Sequence, residues 1–137
     1  NAGKILLFLE GLAGLEYSLP EKRLTVRDTM PTDWSWMEFR LPMDLPAGKD
    51  SHSVKRYWPV IRFDRSTGDR EMTKTIRVTD CPLAITIEPW SEGRQISSAT
   101  CLPTGKSEPV QSVLPGYRGF HFKDGSEAQV ELRLISP

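Results

Sequence analysis

Eleven prolines and ten glycines cut this chain into short stretches, and they fall mostly between candidate elements, as at Pro42, Pro46, Gly48, Gly68, Pro82, Pro89 and Pro103. A proline inside a helix removes a backbone donor and costs about 3 kcal/mol, so a helical bundle is disfavoured. Between the breaks, apolar and polar side chains alternate. Leu24 and Val26 alternate with Arg23, Thr25 and Arg27, Met37-Glu38-Phe39-Arg40-Leu41 repeats the pattern, and Val130, Leu132 and Leu134 alternate with Glu131 and Arg133. Period two places one strand face in a core and the other in water. Strands are predicted over Leu15–Leu19 and Arg23–Arg27, joined as a hairpin by Pro20-Glu21-Lys22, and over Val54–Phe63, Thr73–Val78, Leu83–Ile87, Gly119–Lys123 and Ala128–Ile135. Pro59 puts an edge or a bulge in the middle of Val54–Phe63. Lys123-Asp124-Gly125-Ser126 reads as a hairpin turn, Asp-Gly supplying the positive φ. Ala47–Ser53 reads as a polar, mobile loop, and Ala99–Val110 as a second long connection. The expected fold is mostly β: an antiparallel β-sandwich of many short strands with a short N-terminal helix.

That helix is the one segment of different texture. Lys4–Leu15 reads KILLFLEGLAGL, a run compatible with a short helix or a buried strand; its length and leucine content lean to helix, and Gly11 and Gly14 suit a helix ending. It is apolar nearly all round, more than a small domain can bury alone. Ile5, Leu6, Phe8, Leu9 and Leu12 are therefore the candidate domain-docking residues. The chain opens Asn1-Ala2-Gly3 without an initiator methionine. Residues 1–137 are accordingly expected to be a single domain and a fragment or a processed product, with residues 1–2 the remnant of a tag. Without its neighbour the segment is expected to drive self-association. Light scattering should show a mass that grows with concentration and falls back in Leu7→Asp and Phe8→Asp. A monomer at every concentration, with both substitutions leaving solubility unchanged, refutes this.

At 137 residues the chain has room for one domain. Lysine plus arginine and aspartate plus glutamate both number 18, so the formal charge is zero. Neither nucleic acid nor a membrane is expected as a partner on that balance, and no apolar run approaches the ~20 residues of a bilayer span. Cys81 and Cys101 match no zinc spacing; free thiols are the favoured reading, and a bridge is the alternative if two strands bring them together. His52 sits in the polar loop, and His121 alternates with Phe120 and Phe122 and should face away from them. Neither a metal nor a cofactor is expected: P-loop, dinucleotide and nucleophile-elbow motifs are missing. Nothing in the spacing of Asp28, Asp33, Glu38, Asp64, Asp69, Glu71 and Asp80 singles out a glycosidase pair. Asp64–Asp69 resembles a turn. No catalytic residue is assigned. Trp34, Trp36, Trp58 and Trp90 are the candidate ligand-binding residues, since exposed indoles stack on sugars. Trp34 and Trp36 at strand spacing would share one face. The favoured reading for these rings is still a core or docking surface, and Arg56 and Arg62, close to Trp58 in the sequence, could form cation–π contacts with it without any ligand.

Glu10–Pro42 carries a family likeness. Its skeleton is Gly11-Leu12-Ala13-Gly14-Leu15, then Leu24-Thr25-Val26, Met30-Pro31, Trp34 and Met37-Glu38-Phe39. This resembles the passage from the last barrel helix into the C-terminal β-domain of glycoside hydrolases and phosphorylases with an (α/α)6 barrel. There a G-[LF]-x-G-L segment precedes a strand, a P-x-L-P-x-x-W turn and a strand ending in a Phe-rich pattern. Asp28 stands here in place of the first proline and Met30 in place of the leucine. The likeness covers about a quarter of the chain and ends at Pro42. In such enzymes the catalytic acids lie on the barrel. The resemblance therefore implies that residues 1–137 are a C-terminal fragment of a larger protein, a non-catalytic accessory domain and not an enzyme by itself, whose partner is the catalytic (α/α)6-barrel domain of the parent chain. A carbohydrate-binding module using exposed tryptophans is the alternative, with carbohydrate as partner.

Overall fold

The computed structural model describes residues 15–18, 22–47, 53–112 and 114–135. Among these the chain forms strands and no helix. The helix expected over Lys4–Leu15 lies outside the described residues apart from Leu15, which opens strand β1 (Leu15–Ser18) instead. Ile5, Leu6, Phe8, Leu9, Leu12 and His52 also lie outside them.

β1 turns back onto β2 (Arg23–Arg27), with Leu15 opposite Val26, as the hairpin reading requires. In chain order there follow β3 (Trp36–Arg40), β4 (Met43–Pro46), β5 (Val54–Tyr57), β6 (Val60–Thr67), β7 (Glu71–Thr79) and β8 (Ala84–Glu88). The last are β9 (Gln95–Leu102), β10 (Ser107–Val110), β11 (Gly119–Phe122) and β12 (Glu127–Ile135). One five-stranded sheet has the order β1-β2-β8-β11-β10 and the other β3-β6-β7-β12-β9, while β4 and β5 form a separate ribbon. All ladders are antiparallel except β2 with β8, which run parallel. β3 to β7 intervene between those two strands, and so long a crossover is what a parallel pair needs.

The two sheets share one core. Leu24, Val26, Ile85, Ile87 and Phe122 of the first are buried with Phe63, Ile76, Val78, Val130, Leu132 and Leu134 of the second. Each contributes roughly 1.5–3 kcal/mol of burial. Phe39 and Phe63 pack tilted, ring centroids 6.1 Å apart.

Four local expectations change. Val54–Phe63 is two strands, not one: β5 pairs with β4, β6 pairs with β3, and the chain breaks at Trp58-Pro59. The Leu41 N–H donates to the Pro59 carbonyl at 3.0 Å, which ends the ladder there. Ala99–Val110 is not a plain connection, since it holds the end of β9 and all of β10. Asp64–Thr67 belongs to β6, and the turn is Gly68-Asp69-Arg70, closed by the Gly68 N–H on the Glu71 carbonyl at 2.7 Å. Lys123–Ser126 closes no hairpin: it carries the chain from β11 in one sheet to β12 in the other. Asp124 does cap that turn, its Oδ1 accepting the Ser126 N–H at 2.9 Å. The polar loop has its ends joined by the Ala47 N–H on the Ser53 carbonyl at 3.1 Å, and residues 48–52 lie outside the described part.

Cys81 is buried, Cys101 is half-buried, and both are free. Burial pushes the Cys81 thiol above its ordinary 9.0, because a thiolate is poorly solvated there. The unfolded chain then ionises first as pH rises. The contribution of Cys81 to stability is intact below about pH 9 and is lost as the pH climbs through the raised native value. A thiol reagent at neutral pH should therefore label Cys101 in the folded chain and both thiols in denaturant. Equal labelling of both in the folded chain contradicts this burial.

Candidate functional site

Three charged residues sit in phase with core positions. Asp28 continues the inward row of Leu24 and Val26, Arg65 that of Ile61 and Phe63, and Lys74 lies between Met72 and Ile76. Strand alternation turns all three inward, and Asp28 is 0%, Lys74 2% and Arg65 8% exposed. Glu92 reaches them from the turn after β8. Glu92 (φ 55°) and Gly93 (φ 71°) occupy its centre, and the Arg94 N–H donates to the Ser91 carbonyl at 3.0 Å. A left-handed backbone disfavours a side-chain-bearing residue such as Glu92.

These four groups neutralise one another. The Lys74 ammonium contacts Asp28 Oδ2, Glu92 Oε2 at 3.0 Å and the Trp90 carbonyl at 2.9 Å. Arg65 Nε donates to Glu92 Oε2 at 3.1 Å, and its Nη1 donates to the Pro31 and Trp34 carbonyls. Its Nη2 lies 3.1 Å from the same Glu92 oxygen as an ion-pair contact without a hydrogen bond. Asp28 Oδ1 accepts the Met30 N–H and Oδ2 the Trp90 N–H, both at 3.3 Å. Trp90 covers the cluster, stacked on Tyr117 at 6.3 Å and 5.4 Å from the Lys74 nitrogen. The Tyr117 hydroxyl donates to the Asp28 carbonyl at 3.0 Å. Burial, and then the Asp28 charge, push this phenol above its ordinary value. Charges so far from water persist only when paired and hydrogen-bonded.

The outer face of the first sheet is a second polar feature. The register aligns Glu16, Thr25, Thr86, His121 and Glu108 in one row across its five strands. His121 faces away from the buried Phe120 and Phe122, as predicted, and shares a 3.0 Å hydrogen bond with Thr86. The row floors an open groove of about 380 Å³. Arg27 bridges Glu16 (3.2 Å) and Glu88 (3.4 Å) on its wall, and Ser112 donates to Glu88 at 2.7 Å.

The four tryptophans are divided among separate places. Trp36 alone of the first pair lies in a strand. Trp34 belongs to the preceding turn, its N–H on the Pro31 carbonyl at 3.1 Å, so strand spacing does not align the two rings. Trp36 is 57% exposed, with the Arg62 guanidinium 4.9 Å from its ring. Asp64 at 2.9 Å and Glu38 at 3.6 Å hold that guanidinium. Arg56 pairs with Asp44 at 2.7 Å. Trp58, 51% exposed, lies at the far end of the β3–β6 ladder from Trp36. Trp90 is in the inner cluster. Among the described residues no group of three or more His, Cys, Asp or Glu could hold a metal ion. The inward phase of Asp28, Arg65 and Lys74 was present in the sequence as the signal for the buried cluster, and Glu92 had none.

Comparison with known proteins found no matching family model, no matching curated protein and no matching solved structure.

Proposed function

We propose that this chain is a non-catalytic accessory β-sandwich of a carbohydrate-active enzyme, packing against and supporting a helical-barrel catalytic domain. The supporting observation is an order of elements. A strand begins at Leu15, where the G-L-A-G-L segment ends. β2, the turn closed by Trp34 on Pro31, and β3 with its buried Phe39 then follow in sequence. This order resembles the strand, turn and Phe-bearing strand of the family pattern, with one strand more, since both β1 and β2 precede the turn. The apolar stretch before Leu15 would be the tail of the last barrel helix. The test is the coding sequence upstream of Gly3. Several hundred residues of helical barrel are expected there. A gene encoding these residues alone, or turnover of a sugar substrate by the purified chain, overturns the reading.

The exposure of Trp36 and Trp58 favours carbohydrate binding as the second reading. Titration of soluble polysaccharides against tryptophan fluorescence separates the two. A saturable change lost in Trp36→Ala or Trp58→Ala supports a binding module, and an unchanged spectrum supports the purely supporting role.

A further inference from the structure

We propose that Lys74 and Asp28 condense into an intramolecular isopeptide bond, with Glu92 as the proton-transferring residue. Lys74 stands in β7 of one sheet, and Asp28 directly follows β2 of the other. Their side chains are 2% and 1% exposed and in direct contact, and Glu92 touches the same nitrogen at 3.0 Å. A nucleophile, a carboxyl group and a second carboxylate thus meet in one water-poor site. The fixed geometry replaces the high concentration that amide formation needs in solution.

The remaining contacts assign the roles. Both oxygens accept a backbone N–H at 3.3 Å, Oδ1 from Met30 and Oδ2 from Trp90, but the Lys74 nitrogen touches Oδ2 alone, so Oδ2 takes up the protons and departs while Oδ1, held by Met30, carries the oxyanion of the tetrahedral adduct. One ammonium proton passes to Oδ2, which the Lys74 nitrogen touches, so that a neutral amine faces a neutral carboxyl group, and the freed electron pair on Nζ attacks Asp28 Cγ. The C–N bond forms. Glu92 takes a second proton from the nitrogen of the adduct and hands it to Oδ2, and the C–Oδ2 bond breaks to release water. One proton stays on the amide nitrogen, so atoms and charges balance and nothing is oxidised or reduced. Two buried charges disappear as a neutral amide. Arg65 and Glu92 remain paired at 3.1 Å, so no buried charge is left alone. The left-handed backbone of Glu92 fits this assignment, since such conformations gather where a side chain must be placed for function.

The test is the intact mass of the full chain in denaturant. It should fall short of the sequence mass by one water, and proteolysis should yield a branched peptide containing both Asp28 and Lys74. Glu92→Gln, folded by circular dichroism, should keep the full sequence mass. A wild-type chain at full sequence mass after prolonged incubation overturns the bond, and a bond that forms equally in Glu92→Gln overturns the role of Glu92.

Discussion

Replacing Arg65 by methionine is expected to cost about 3–5 kcal/mol of stability, the range for removing one partner of a buried ion pair. The guanidinium is buried and donates to Glu92 and to the carbonyls of Pro31 and Trp34. Methionine fills much of the volume and supplies none of these donors. The two carbonyls lose their partner, and the nine-tenths buried Glu92 carboxylate loses the guanidinium and keeps only the Lys74 nitrogen at 3.0 Å. Arg65→Lys should recover only part of the loss, because one ammonium cannot reproduce a fork that serves three acceptors in different directions. Urea unfolding followed by tryptophan fluorescence measures both variants. A loss below about 1 kcal/mol in Arg65→Met would mean that the cluster behaves as a surface ion pair.

Gly125→Ala is the second large effect, from overpacking rather than charge. A Cβ built at Gly125 lies 2.3 Å from the Leu83 carbonyl oxygen and 2.9 Å from Cys81 Cβ. The close neighbour is backbone, and the Cys81 N–H is bonded to the Gly125 carbonyl at 3.1 Å, so the two segments cannot separate without breaking that bond. Overpacking of this kind costs about 1–3 kcal/mol, and more where backbone must move. Gly105→Ala is the internal control. Its Cβ meets nothing within 4 Å, so only the φ of +76° opposes it. The same unfolding experiment should place Gly125→Ala well below Gly105→Ala. Equal midpoints would refute the steric account.

The strands legible in the sequence are those whose two faces see different surroundings. β3, β7 and β12 bury alternate residues, and period two shows directly. β9 escaped because QISSATCL is exposed along most of its length and pairs with β12 alone, so no burial pattern marks it. The parallel β2–β8 pair escaped for another reason: adjacent alternating segments suggest hairpins, whereas this pairing depends on where the intervening strands go. Gly125 read as a turn glycine from its Asp-Gly context, yet it serves close packing beside Leu83, which only the tertiary arrangement creates. Of the candidate site, the inward phase of Asp28, Arg65 and Lys74 was visible. Their convergence on Glu92 was not, because it joins two sheets and a turn far apart in the chain.

The place of β12 sets when its sheet can be completed. It is the last of the described strands in chain order, yet it lies inside its sheet, hydrogen-bonded to β7 on one side and β9 on the other. During synthesis on the ribosome, β6 and β7 can pair as a local hairpin while β9 still lacks its neighbour. The nascent polypeptide must carry Phe63, Ile76 and Val78 incompletely covered until Val130, Leu132 and Leu134 emerge to close over them. That interval, rather than the finished fold, is when the chain depends most on protection from aggregation.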